Sequence, residues 1–179
     1  CKLTDNRLEP NEPCLLRYGV SQQNANQSFL ACIENILELD DIKQTIIDSI
    51  NIDNYVRYSN GNLIQAFIGE KYEQVDPAIY KNRQVFKKLM NKDPDFMDRI
   101  CSSMENFKKY ILDDTVILDH TYLWDVISLP NKKLFADGVN IIIIEDNAGR
   151  VEMTCPTSYA GRKLYDKMRK SILLIKKGN

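Results

Sequence analysis

Apolar residues recur at helical spacing through most of the chain and at strand spacing only toward its C-terminal end. Ser28 is a candidate N-cap, and Phe29, Leu30, Ile33, Ile36 and Leu37 follow on one face, which predicts an amphipathic helix stopping before Asp40-Asp41. Ile42, Ile46, Ile47 and Ile50 predict a second helix. Leu63, Ile64, Phe67 and Ile68 predict a third, after the turn signal Ser59-Asn60-Gly61. Asp76-Pro77 and Asp93-Pro94 each set a capping carboxylate before a proline at the first helical position, where the missing N–H costs nothing. The latter begins a long helix whose core stripe is Phe96, Met97, Ile100, Cys101, Met104, Phe107 and Ile111. Tyr122, Leu123, Val126 and Ile127 predict one more helix, ending before Pro130.

The period then switches. Val139 to Ile144 is a β-branched run, interrupted by Asn140, that suits a central strand covered on both faces. Asp146-Asn147-Ala148-Gly149 supplies turn chemistry and Arg150 to Cys155 alternates polar with apolar, so a hairpin is predicted. A polar stretch with a short helix is expected after Pro156, then a third strand from Ser171 to Lys177. Helices first and a small sheet last predict an α+β fold, in which a helix-rich N-terminal two thirds packs with a small C-terminal β-sheet. One domain over residues 1–179 is expected, mainly helical over 1–130 and mainly strands over 131–179.

Composition narrows this little. The 44% apolar content is ordinary and Gly numbers only 7, which excludes collagen-like and disordered classes. The five cysteines form no Cys-x-x-Cys pair, so a reducing compartment is expected, with no zinc site or redox motif. The run from Val139 to Ile144 falls far short of the ~20 residues that cross a bilayer. No membrane partner is expected. The chain opens on Cys1 without a signal-peptide pattern, and is read as a piece of a larger protein.

Charge becomes informative once it is divided. Residues 161–179 carry Arg162, Lys163, Lys167, Arg169, Lys170, Lys176 and Lys177 against Asp166, which is 7 − 1 = +6, while the other 160 residues hold 17 − 24 = −7. These seven cations are the candidate nucleic-acid-binding residues, as contacts to DNA phosphates. Lys81, Arg83, Lys87, Lys88 and Lys92 crowd the helix expected after Pro77; a solvated outer face is the plain reading, and an extension of the basic surface the other.

Catalytic constellations are weaker. His120 is the sole imidazole and has no paired ligand in sequence. A PD-(D/E)xK nuclease would hold a divalent cation with two carboxylates beside a lysine. Asp137 and Glu152 fit its first two places, but Thr154 stands where the lysine belongs and Leu174 precedes Lys176 at the carboxylate spacing. Glu145 and Glu34 are the remaining acids for such a site, so any nuclease-like fold is expected to be degenerate. No glycine-rich nucleotide-binding motif is present, and no cofactor, metal or catalytic residue is assigned.

Several strings resemble a known family together: Pro13-Cys14-Leu15-Leu16-Arg17-Tyr18-Gly19-Val20, Asn26-Gln27-Ser28-Phe29-Leu30-Ala31-Cys32-Ile33, Ser59-Asn60-Gly61-Asn62-Leu63-Ile64, Ser103-Met104-Glu105-Asn106-Phe107, Asp119-His120-Thr121-Tyr122-Leu123-Trp124-Asp125 and Val151-Glu152-Met153-Thr154-Cys155-Pro156-Thr157. The set is similar to an N-proximal region of the early transcription factor large subunit of nucleocytoplasmic large DNA viruses, the giant viruses. The resemblance implies a non-catalytic binding and assembly module. Its implied partners are DNA, a viral multisubunit RNA polymerase and the factor's helicase-like small subunit, and its implied setting is the virion and the viral factory in host cytoplasm. A metal-dependent nuclease, or an inactive descendant, is the alternative.

Overall fold

The computed structural model describes residues 3–4, 7–8, 19–20, 24–69, 75–147, 150–156, 158 and 165–177. Strands β1 (Leu3–Thr4) and β2 (Arg7–Leu8) form a minimal antiparallel ladder. Helix α1 (Ser28–Leu37) is entered through a 3-10 turn, Ala25–Gln27, capped by the side chain of Asn24. Ser28 is therefore the first helical residue rather than the cap. Gln27 donates instead to the carbonyl of Asp113 at 3.0 Å, tying the helix entry to a distant loop.

Asp41 caps α2 (Ile42–Ser49), and Asn51 caps the short α3 (Ile52–Tyr55). A 3-10 turn over Tyr58–Gly61 then leads to α4 (Asn62–Ala66), with Ser59, Asn60 and Gly61 all left-handed at φ 49°, 59° and 86°. A side chain there costs ~1–2 kcal/mol per residue, so something must hold the turn. Asp125 does: its buried carboxylate accepts the Ser59 N–H at 2.8 Å and the Ser158 hydroxyl. After Pro77 the chain makes only a 3-10 turn, Pro77–Tyr80, before α5 (Gln84–Leu89), so the single helix expected there is two pieces.

Helix α6 (Pro94–Leu112) buries Met97, Ile100, Cys101, Met104, Phe107 and Ile111 of its predicted stripe, leaves Phe96 half-buried, and is capped by Asp93, which accepts the Phe96 N–H at 2.9 Å. It packs against α2, α3, α4 and α5. Ser103 on its buried face pairs with the Tyr55 hydroxyl at 2.6 Å and donates to the Ile64 carbonyl, so the polar atoms inside the bundle are satisfied. Burial raises the Tyr55 phenol well above its ordinary pKa. Helix α7 (His120–Ser128), capped by Asp119, completes the helical body.

The sheet has β3 (Val139–Asn147) at its centre, antiparallel to β4 (Arg150–Thr154) and parallel to β5 (Lys170–Lys177). Val139, Ile141, Ile143 and Ile172 are buried on the face toward α7. The expected burial of β3 on both faces does not hold among the described residues. Ile142 and Ile144 on the far side are half-buried, flanked by exposed Leu173, Ile175, Met153 and Val151. The fold is α+β, helix-rich with a small mixed sheet. No helix among the described residues is long and apolar enough to cross a membrane.

Candidate nucleic-acid interface

Asn140, the polar interruption in the strand run, organises the approach to β5. Its side chain is 2% exposed and fully used: Oδ1 accepts the Asp166 N–H at 2.8 Å, and Nδ2 donates to the Asp166 carbonyl at 2.9 Å and the Ser171 hydroxyl at 3.1 Å. Paired in this way, the backbone of 166–169 turns back on itself through an Arg169 N–H to Asp166 carbonyl bond. Asp166 Oδ1 meanwhile accepts the Met168 N–H. Lys167 is exposed within that turn and Lys170 is exposed directly after it, at the start of β5.

The other predicted cations are placed differently. Arg169 lies against Gly138, whose φ is +78°; a Cβ there would sit 3.0 Å from the guanidinium carbon and 2.7 Å from the Ser128 carbonyl at the end of α7. This packed position gives Arg169 a structural role near a helix C-terminus, where a cation is favourable. Lys176 lies six residues beyond Lys170, about 20 Å along the strand, and its Nζ is 3.2 Å from Glu145. Arg162, Lys163 and the side chain of Lys177 lie outside the described residues, as does most of the helix expected after Pro156. Among the described candidates, Lys167 and Lys170 are exposed and make no ion pair, while Arg169, also without an ion pair, is half-buried.

The nuclease carboxylates are spread. Register places Glu145 opposite Glu152 on one side and opposite Lys176 on the other; Arg150, two residues from Glu152 along β4, sets its Nε 3.0 Å from that carboxylate. Facing carboxylates repel, and the flanking cations relieve them. Glu145 also accepts a 3.3 Å hydrogen bond from Thr154. Glu34 accepts the Ile42 N–H at 3.2 Å and so serves the α1–α2 joint. Asp137 is exposed in the turn before β3. Among the described residues no three His, Cys, Asp or Glu side chains converge as metal ligands would. The His120 ring packs edge-on to Phe29 and Trp124, an aromatic contact rather than a ligand geometry.

Sequence reasoning overlooked Asp125, whose role depends on Ser59 and Ser158 meeting it from distant parts of the chain. It also overlooked Arg57, which lies beside the left-handed turn and faces the basic segment 81–92 across a concavity. Comparison with protein-family models, with curated proteins and with solved structures finds no match to this chain.

Proposed function

We propose that this chain is a non-catalytic binding and assembly domain of a viral early transcription-initiation factor, touching DNA phosphates and its polymerase or small-subunit partners. The observation that carries the DNA part is the exposed pair Lys167 and Lys170, held by Asn140 in a fixed turn and free of ion pairs among the described residues. Ammonium groups so placed neutralise phosphates and position a protein on nucleic acid without reading its sequence. The viral assignment rests on the string resemblance alone. A salt series of DNA binding tests the reading: affinity falls with salt, and K167E/K170E flattens the slope, by about 1.8 if both lysines contact duplex phosphates. Salt-insensitive binding would refute it.

The row of Glu145, Glu152 and Lys176 across three strands supports a second reading, a nuclease-like site, because two acids and a lysine share one sheet face. Mg²⁺- or Mn²⁺-dependent cleavage lost in both Glu145→Ala and Glu152→Ala is its expected signature. Cleavage that survives both changes eliminates it.

A further inference from the structure

A cavity of about 470 Å³ opens between α3, the left-handed turn, α5 and the start of α6. Its floor is apolar, formed by Ile64, Leu89, Phe96 and Ile100. Its rim is polar: Arg57 and Lys88 are exposed there and make no ion pair among the described residues, and the exposed carboxamides of Asn62 and Gln84 line the same opening. Asp53 is the acid in the lining, and its Oδ1 is already committed to the Val85 N–H at 2.9 Å. Lys81, Arg83, Lys87 and Lys92 stand on the same segment as Lys88 with no acidic residue among them, which raises the local positive potential.

We infer that this cavity takes one nucleotide unit of single-stranded nucleic acid, its phosphate between Arg57 and Lys88 and its base over the apolar floor. The volume suits a ligand of that size. Carboxamides offer a donor and an acceptor to a base edge, and Phe96, half-buried and with the Arg99 guanidinium 5.3 Å from its ring centroid on one face, leaves its other face as an aromatic surface of the kind on which unpaired bases stack. A duplex keeps its bases inside the stack and cannot present one to a concavity. The inference rests on the nucleic-acid reading above but moves the contact to the helical body, so the two can fail separately.

The test measures anisotropy of a labelled twelve-residue oligothymidylate, its duplex counterpart and competing free thymidine monophosphate against the 179-residue chain. Variants are R57E/K88E, K167E/K170E and Asn62→Trp, which occludes the opening without changing charge; all alter exposed residues, and circular dichroism checks the fold. The single strand is expected to bind more tightly than the duplex, at least tenfold more weakly to R57E/K88E, with a salt slope lower by about 1.4 for two lost contacts. Asn62→Trp is expected to weaken the single strand alone. Competition by the free mononucleotide at millimolar concentration would assign recognition to the unit, and competition by the oligomer only would assign it to the strand; either supports the cavity. Equal binding of both nucleic acids with indifference to Asn62→Trp overturns the inference. Loss with K167E/K170E but not R57E/K88E overturns it while leaving the proposed function standing; the reverse pattern upholds it and removes the Lys167 and Lys170 assignment.

Discussion

The basic residues of 81–92 and those of 165–177 carry the same sign of charge in opposite settings. On the helical body, Lys81, Arg83, Lys87, Lys88 and Lys92 are exposed and form no ion pair among the described residues. Near the sheet, Lys176 answers Glu145 and Arg169 packs on Gly138, leaving Lys167 and Lys170 for a partner. A formal count over the wider stretch 161–179 gives +6, ahead of the +5 over 81–92. Availability reverses that ranking, because a cation already holding a carboxylate gives little to a phosphate. The difference teaches that an electrostatic footprint is read from unpaired groups rather than from composition.

Asp125 joins the left-handed turn beside the cavity to Ser158. Asp125→Ala strands the Ser59 N–H in a left-handed turn and removes one partner of the Ser158 hydroxyl, and is expected to cost ~2–4 kcal/mol in urea unfolding. Single-strand affinity should fall with it. Asn140→Ala breaks only the C-terminal side: the Asp166 N–H loses its partner, with ~2–3 kcal/mol lost and Lys167 set free, so duplex binding weakens while the cavity contact persists.

Alkali separates the regions in the other direction. Burial, then the carboxylates of Asp98, Glu105 and Asp76, push the Cys101 thiol up to about 12, and burial, then Asp125, pushes the Tyr58 phenol up to about 12. Both groups are neutral when protonated and hold their protons more tightly when folded. Their contribution is whole below the ordinary values of 9.0 and 10.0, and is lost as pH rises toward about 12. The urea midpoint should stay level in this respect to pH 9 and then decline, with Cys101 labelled by maleimide only as the body opens, and exposed Cys155 labelled throughout.

The smallest effect is the most direct comparison. Lys176→Glu sets a third carboxylate beside Glu145 and Glu152 and should lower stability by about 0.5–1 kcal/mol, a modest figure because the pair is solvent-screened. Lys88→Glu should change it by less than about 0.5 kcal/mol. Equal losses would erase the distinction between paired and unpaired cations.

Much of this architecture is legible in the sequence. Asp93-Pro94, Asp119 and the stripe from Met97 to Ile111 place α6 and α7, and alternation around Asp146 places the hairpin. Those signals are local. The stretch from Asn51 to Ala66 reads poorly because its left-handed turn depends on a carboxylate 66 residues away. The segment after Pro77 reads as one helix, yet α5 begins separately where Asp53 takes the Val85 N–H. The candidate contacts were legible as charges but not as partners, since nothing near Lys176 in sequence announces Glu145 on another strand.

Strand β5 reads Lys-Ser-Ile-Leu-Leu-Ile-Lys-Lys, and on the side away from β3 it pairs with no strand among the described residues. An uncharged, strongly β-forming stretch at a sheet edge is a template for fibril growth, and flanking lysines act as gatekeepers that make stacking of copies repulsive. Lys170 and Lys176 therefore guard colloidal stability whatever else they touch. Neutralising both would first show itself as turbidity.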